Sequence, residues 1–118
     1  MSIEGLWFLK VASVEKPAEF RYGGIVTLEG ERVFGADSIC SYLGDYRFED
    51  GELTGEIRVQ TWNRSVPSTN ILGTTGPIDY KVQVRGKRQG GTIDGSLESI
   101  DTPGWALPIR MHFIADLP

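Results

Sequence analysis

Glu52-Leu53-Thr54-Gly55-Glu56-Ile57-Arg58-Val59-Gln60 places Leu, Ile and Val at every second position around a glycine, with charged and polar residues between them. Side chains of an extended chain point alternately to opposite faces, so this stretch reads as a strand with one face buried and the other in water. The same period runs through Ile78 to Arg85, Ile93 to Glu98 and Ile109 to Phe113. Towards the amino terminus, Gly5 to Val11, Tyr22 to Glu29, Arg32 to Phe34 and Ile39 to Phe48 are rich in β-branched and aromatic residues and are bounded by turn formers. About eight strands are predicted.

Short connections make neighbouring strands antiparallel. Gly30-Glu31 is one, and Asp50-Gly51 is a strong hairpin dipeptide because a type I′ turn needs positive φ at both central residues. Gly86 to Gly91 is read as a third turn. No segment combines a 3.6-residue period, a capping box and sufficient length, so no long helix is expected. A row of hairpins leaves two open edges, and closing the sheet removes both. The expected fold is therefore all-β: one domain over residues 1–118, an eight-stranded antiparallel up-and-down barrel of the lipocalin type, with a two-layer sandwich as the alternative.

Composition agrees. Fifteen glycines and six prolines in 118 residues indicate many turns. A net charge of −4 argues against direct nucleic-acid binding, which needs a basic excess to neutralise phosphates. The single cysteine, Cys40, cannot form an internal disulfide. No run approaches the ~20 apolar residues of a membrane span, and Met1 to Lys10 lacks the pattern of a secretory leader. A cytoplasmic protein without membrane attachment is expected.

In an up-and-down order, Gly30-Glu31, the acidic Glu49-Asp50-Gly51-Glu52 and the basic Gly86-Lys87-Arg88-Gln89-Gly90 all fall at one end, the acidic and basic turns side by side. Ser13 to Glu19, Asn63 to Pro77 and Ile100 to Ala106 fall at the other end, the expected mouth.

Catalytic chemistry is hard to assemble from these residues. One histidine, His112, sits between Met111 and Phe113 and reads as structural, and no nucleophile elbow is present. One Cys and one His do not make a zinc site. Glu49, Asp50 and Glu52 lack EF-hand spacing and read as a solvated hairpin tip. Neither Gly23-Gly24 nor Gly90-Gly91 opens a helix after a strand, as a phosphate cradle requires. Arg85, Lys87 and Arg88 read as a solvated basic cluster. No enzyme activity, cofactor or metal is expected. Ile57, Val59, Tyr80, Val82 and Phe113 are predicted to face the lumen, where they either pack the core or line a site for a small apolar ligand; a barrel of this size permits both.

Gly5-Leu6-Trp7 resembles the Gly-x-Trp element of lipocalin and avidin-like barrels, whose tryptophan closes one end beneath an arginine of the last strand; the resemblance gives that role to Arg110. Gly24-Ile25, Gly30, Gly35, Asp37, Tyr42 and Gly44, followed by Asn63, Val66-Pro67-Ser68 and Asp79-Tyr80, stand at spacings similar to those of the GrlR family, negative regulators found with bacterial type III secretion loci. The similarity runs from about Gly5 to Tyr80. It implies a lipocalin-like barrel that forms a homodimer and inhibits a partner such as a transcriptional activator. That family's acidic recognition run maps onto Glu49-Asp50-Gly51-Glu52, where one of four acidic positions is glycine, so Glu49, Asp50 and Glu52 are the implied partner contacts. Two functions follow as expectations: a regulator that binds a basic protein through its rim, and a carrier or sensor of a small apolar molecule.

Overall fold

The computed structural model describes residues 2–12, 20–65, 77–102 and 106–118. Eight strands form it: β1 (Gly5–Ala12), β2 (Phe20–Glu29), β3 (Arg32–Ala36), β4 (Cys40–Glu49), β5 (Glu52–Thr61), β6 (Asp79–Gln89), β7 (Thr92–Ser99) and β8 (Ala106–Ala115). Each pairs antiparallel with the next, and β8 returns to β1 through the register from Trp7↔Phe113 to Val11↔Ile109. The sheet is a closed up-and-down barrel, so the sandwich alternative does not hold. Among the described residues no helix is long and apolar enough to cross a membrane.

The expected strands are present, most of them longer than their apolar periods. β2 starts at Phe20, and β8 spans Ala106 to Ala115 because both of its neighbours continue to offer hydrogen bonds. The expected turn from Gly86 to Gly91 needs correction. Gly86 to Gln89 belongs to β6, paired with β7, and the turn is Gly90-Gly91 alone. The two other tight turns have positive φ at both central residues, Gly30 and Glu31 in one, Asp50 and Gly51 in the other. At the opposite end the β3–β4 corner joins the predicted mouth. Of the predicted mouth loops, residues 13–19, 66–76 and 103–105 lie outside the described residues.

Alternate residues fill the lumen. Leu9, Val26, Leu28, Val33, Ile57, Val84 and Met111 are buried at mid-height, and Val11, Val59, Val82, Leu97, Leu107 and Ile109 join them in one continuous cluster. Small barrels bend their strands sharply, and inward-facing glycines relieve the crowding that results. A β-carbon at Gly44 would stand 1.9 Å from the Glu56 carbonyl oxygen, and one at Gly95 would stand 1.8 Å from that of Arg85.

The end with the tight turns is plugged. Trp7 is fully buried, meets Phe113 edge-on at 5.3 Å between ring centroids, and donates from Nε1 to the Ile3 carbonyl at 2.9 Å. The cation above its ring is Arg88 of β6, at 5.4 Å, and not Arg110 as the resemblance implied. Parity explains the exchange. Once Gly86 to Gln89 is strand, Arg88 shares the inward face of Tyr80, Val82 and Val84, whereas Arg110 points outward to Asp94 at 2.6 Å and lies over Phe20. Arg88 therefore leaves the solvated cluster to which it was assigned, while Lys87 and Arg85 stay exposed.

Two glycine substitutions separate crowding from backbone strain. Gly44→Ala is expected to cost at least about 2 kcal/mol, since the neighbouring backbone must move. Gly51→Ala, with φ of 78° and open space around it, is expected to cost about 1 kcal/mol. Urea denaturation of both variants measures the difference.

Candidate functional site

Three regions qualify: the lumen, the mouth and the outer surface with its closed end. In the lumen, Ile57, Val59 and Val82 are buried, and Tyr80 and Phe113 are partly buried against the same core. The structure brings four of these five together, because Ile57↔Val82 and Val59↔Tyr80 are neighbouring register pairs of β5 and β6. Phe113 lies apart, against Trp7 at the plug. An apolar cavity of about 20 Å³ remains in the lower lumen, bordered by Leu9, Leu28, Ile57, Val84 and Met111. That is room for about one water, and an apolar wall leaves such a space dry. Side chains fill the lower lumen.

At the mouth the chain builds a polar corner that sequence reading assigned no role. Asp37 accepts the amide protons of Ile39 at 2.8 Å and Cys40 at 2.6 Å, and its second oxygen accepts the Tyr42 hydroxyl. Trp62 Nε1 donates to the Asp37 carbonyl at 3.0 Å, and Asn63 Nδ2 to that of Ser38 at 3.1 Å. Burial, then the hydrogen bond to Asp37 and its charge, push the Tyr42 phenol far above its ordinary value; burial first, then Cys40 and Asp37, do the same to Tyr80. Cys40 is likewise raised by burial and by Asp37, against a hydrogen bond with Thr61. Through these hydrogen bonds Asp37 ties the β3–β4 corner together. An Asx turn at Asp37-Ser38-Ile39 was the signal available in the sequence.

The closed end is acidic. Glu49, Asp50 and Glu52 are exposed on the β4–β5 hairpin, as predicted, and Glu52 reaches Lys87 of the adjoining β6 at 3.7 Å. The expected contact between acidic and basic segments is thus present, although the basic partner is strand and not turn. Folding adds three carboxylates that sequence reading left out. Glu29 ends β2, Glu31 is the second residue of the β2–β3 turn, and Glu4 accepts the Gly30 amide proton at 2.7 Å. Glu-Gly-Glu at 29–31 echoes the tip at 49–52 and was the missed signal.

The outer wall has two unlike halves. Over β5 to β8 it carries cross-strand ion pairs: Arg58–Asp79 at 2.6 Å, Lys81–Glu56 at 4.0 Å and Arg110–Asp94 at 2.6 Å. The Arg58 guanidinium holds Asp79 below the usual carboxylate range. Over β1 to β4 the wall carries an apolar patch, bordered towards the closed end by the exposed Glu29, Arg32, Asp45 and Arg47, with Arg32 opposite Asp45 in register. Phe8 pairs with Ile25 and Ile25 with Ala36 in one row; Thr27, Phe34 and Leu43 follow one another in the next. Phe8 is 38%, Ile25 41%, Phe34 40% and Leu43 56% exposed, which is far from core burial. His112 lies at the margin of this face, in register with Phe8 and Thr92.

Raised phenol and thiol values make stability sensitive to alkali. Below the ordinary values of 9.0 for thiol and 10.0 for phenol both folded and unfolded chains keep these protons, so the stabilisation is complete. Above them the unfolded chain ionises first and stability falls, by up to about 1.4 kcal/mol per pH unit for each group. Denaturation followed from pH 8 upward is expected to show this loss, and Tyr42→Phe with Tyr80→Phe to flatten it.

Compared with protein-family models and with curated proteins, the chain matches none.

Proposed function

We propose that the protein is a non-enzymatic regulatory binding protein that pairs as a homodimer through the β1–β4 face. Its acidic closed end then holds and inhibits a basic partner, such as a transcriptional activator. The division of the outer wall carries this reading. A contiguous exposed apolar patch on one half of a barrel, with ion-paired strands on the other, marks a contact surface rather than a solvated one. The packed lower lumen favours that surface over a ligand held inside.

A second copy suits the apolar face. Lys10, beside Phe8 on β1, and Asp45, beside Leu43 on β4, occupy diagonally opposite corners of the patch, and neither has an ion pair among the described residues. Two-fold pairing about the other diagonal sets each Lys10 against the second copy's Asp45 while the aromatic rows meet. The acidic end stays uncovered in this arrangement, since Glu49 and Asp50 lie beyond the patch.

Sedimentation equilibrium tests the pairing. A dimer is expected at micromolar concentration, and Phe34→Glu combined with Leu43→Glu is expected to give a folded monomer; a wild-type monomer would remove the pairing. For the partner, Glu49→Gln, Asp50→Asn and Glu52→Gln together are expected to abolish a salt-sensitive complex with a basic protein, seen by native mass spectrometry after gentle purification from the host. Unchanged affinity would overturn the role of the acidic tip.

A further inference from the structure

The closed end has a concave feature distinct from its hairpin tips. Between residues 2–4, the β2–β3 turn and β4 lies an open cleft of about 290 Å³, bordered by Ile3, Glu4, Gly30, Glu31, Tyr46 and Phe48. Its walls are fixed. Trp7 holds the Ile3 carbonyl, Arg88 donates to the Ser2 carbonyl at 2.8 Å, and Glu4 is tied to the Gly30 amide. The β2–β3 turn is in turn anchored on β4, where the Tyr46 amide donates to the Glu31 carbonyl at 2.9 Å.

The cleft combines two chemistries. The half-buried Phe48 supplies aromatic surface, and Tyr46, a core residue only 7% exposed, reaches the cleft by its edge beside Ile3. Glu4 and Glu31 supply carboxylates. The Tyr46 phenol registers their field: burial first, and then Glu4, Glu31 and Glu29, hold it above its usual range, against a hydrogen bond with the Glu31 backbone. Among the described residues no basic side chain forms an ion pair with Glu4, Glu29 or Glu31, in contrast to the paired carboxylates of the β5–β8 wall. An anion is disfavoured beside these carboxylates, and the open recess has room for one long side chain.

We infer that the cleft receives one arginine side chain of a basic partner protein, its guanidinium stacked on Phe48 at the edge of Tyr46 and bridging the carboxylates of Glu4 and Glu31. A planar, weakly hydrated guanidinium stacks on aromatic faces and binds carboxylates through two parallel bonds, and the ammonium of lysine does neither as well. The inference rests on the reading of the closed end as the partner-binding surface. It adds the anchoring pocket that concentrates affinity in most protein interfaces, whereas exposed tip charges mainly steer approach.

Amide NMR of the intact protein, titrated with a short arginine-containing peptide and with otherwise identical lysine and citrulline peptides, tests this. Expected are saturable shifts at Gly30, Glu31 and Tyr46, about tenfold weaker binding of the lysine peptide, and none of the citrulline peptide. Glu4→Gln with Glu31→Gln, checked for an unchanged melting temperature, is expected to weaken the arginine peptide about tenfold. Equal binding of arginine and lysine peptides overturns the cleft as an arginine site. If that binding is also lost in the Glu49, Asp50 and Glu52 variant, the cleft falls while the acidic-tip reading stands. Absence of binding by either basic peptide overturns both.

Discussion

Closure of the sheet between β1 and β8 is the constraint from which the rest of the molecule follows. Eight antiparallel strands closed edge to edge leave the sheet without a free edge strand, but only if the strands coil around a common axis. The inward glycines meet that demand where a β-carbon would strike the adjoining strand. Trp7 meets it at the plug: it lies between Val26 of β2 and Phe113 of β8 in the register, under the Arg88 guanidinium, and ties residues 2–4 across the end. Among the described residues the lower part of the lumen is filled by side chains, with an apolar cavity of about 20 Å³ left over.

The outer surface is uneven. Exposed ion pairs such as Arg58–Asp79 contribute little to stability in water, but they keep the β5–β8 wall solvated and discourage association there. Among the described residues the β1–β4 wall has no ion pair within 4.0 Å. Its aromatic and aliphatic side chains stand in register on adjacent strands, so the apolar area is continuous and not scattered. The net charge of −4 is likewise uneven, with carboxylates from three separate segments gathered at the closed end.

The residues that carry the likeness to GrlR-type regulators prove to be makers of the fold. A β-carbon at Gly24 would press on the Tyr42 ring, Tyr42 donates to Asp37, and Asn63 ties the end of β5 to the β3–β4 corner. Gly35 and Gly44 permit close strand approach. These positions define how the mouth-end corner is built, whereas Ile25 lies on the apolar β1–β4 face and Gly30 borders the closed-end cleft. Val66-Pro67-Ser68 falls outside the described residues.

Strand number, antiparallel order, the I′ turn at Asp50-Gly51 and the inward set Ile57, Val59, Tyr80 and Val82 were all legible in the sequence. Each depends on local period and turn chemistry, which neighbouring residues suffice to define. Other features exist only once the sheet closes. The sequence places Arg88 in a basic run, and only pairing with β5 and β7 settles that its side chain turns inward over Trp7. Glu4, Glu29 and Glu31 are separated along the chain, and Phe8, Ile25, Phe34 and Leu43 belong to four strands. Their convergence is set by register between strands, a long-range property that no local pattern of residues encodes.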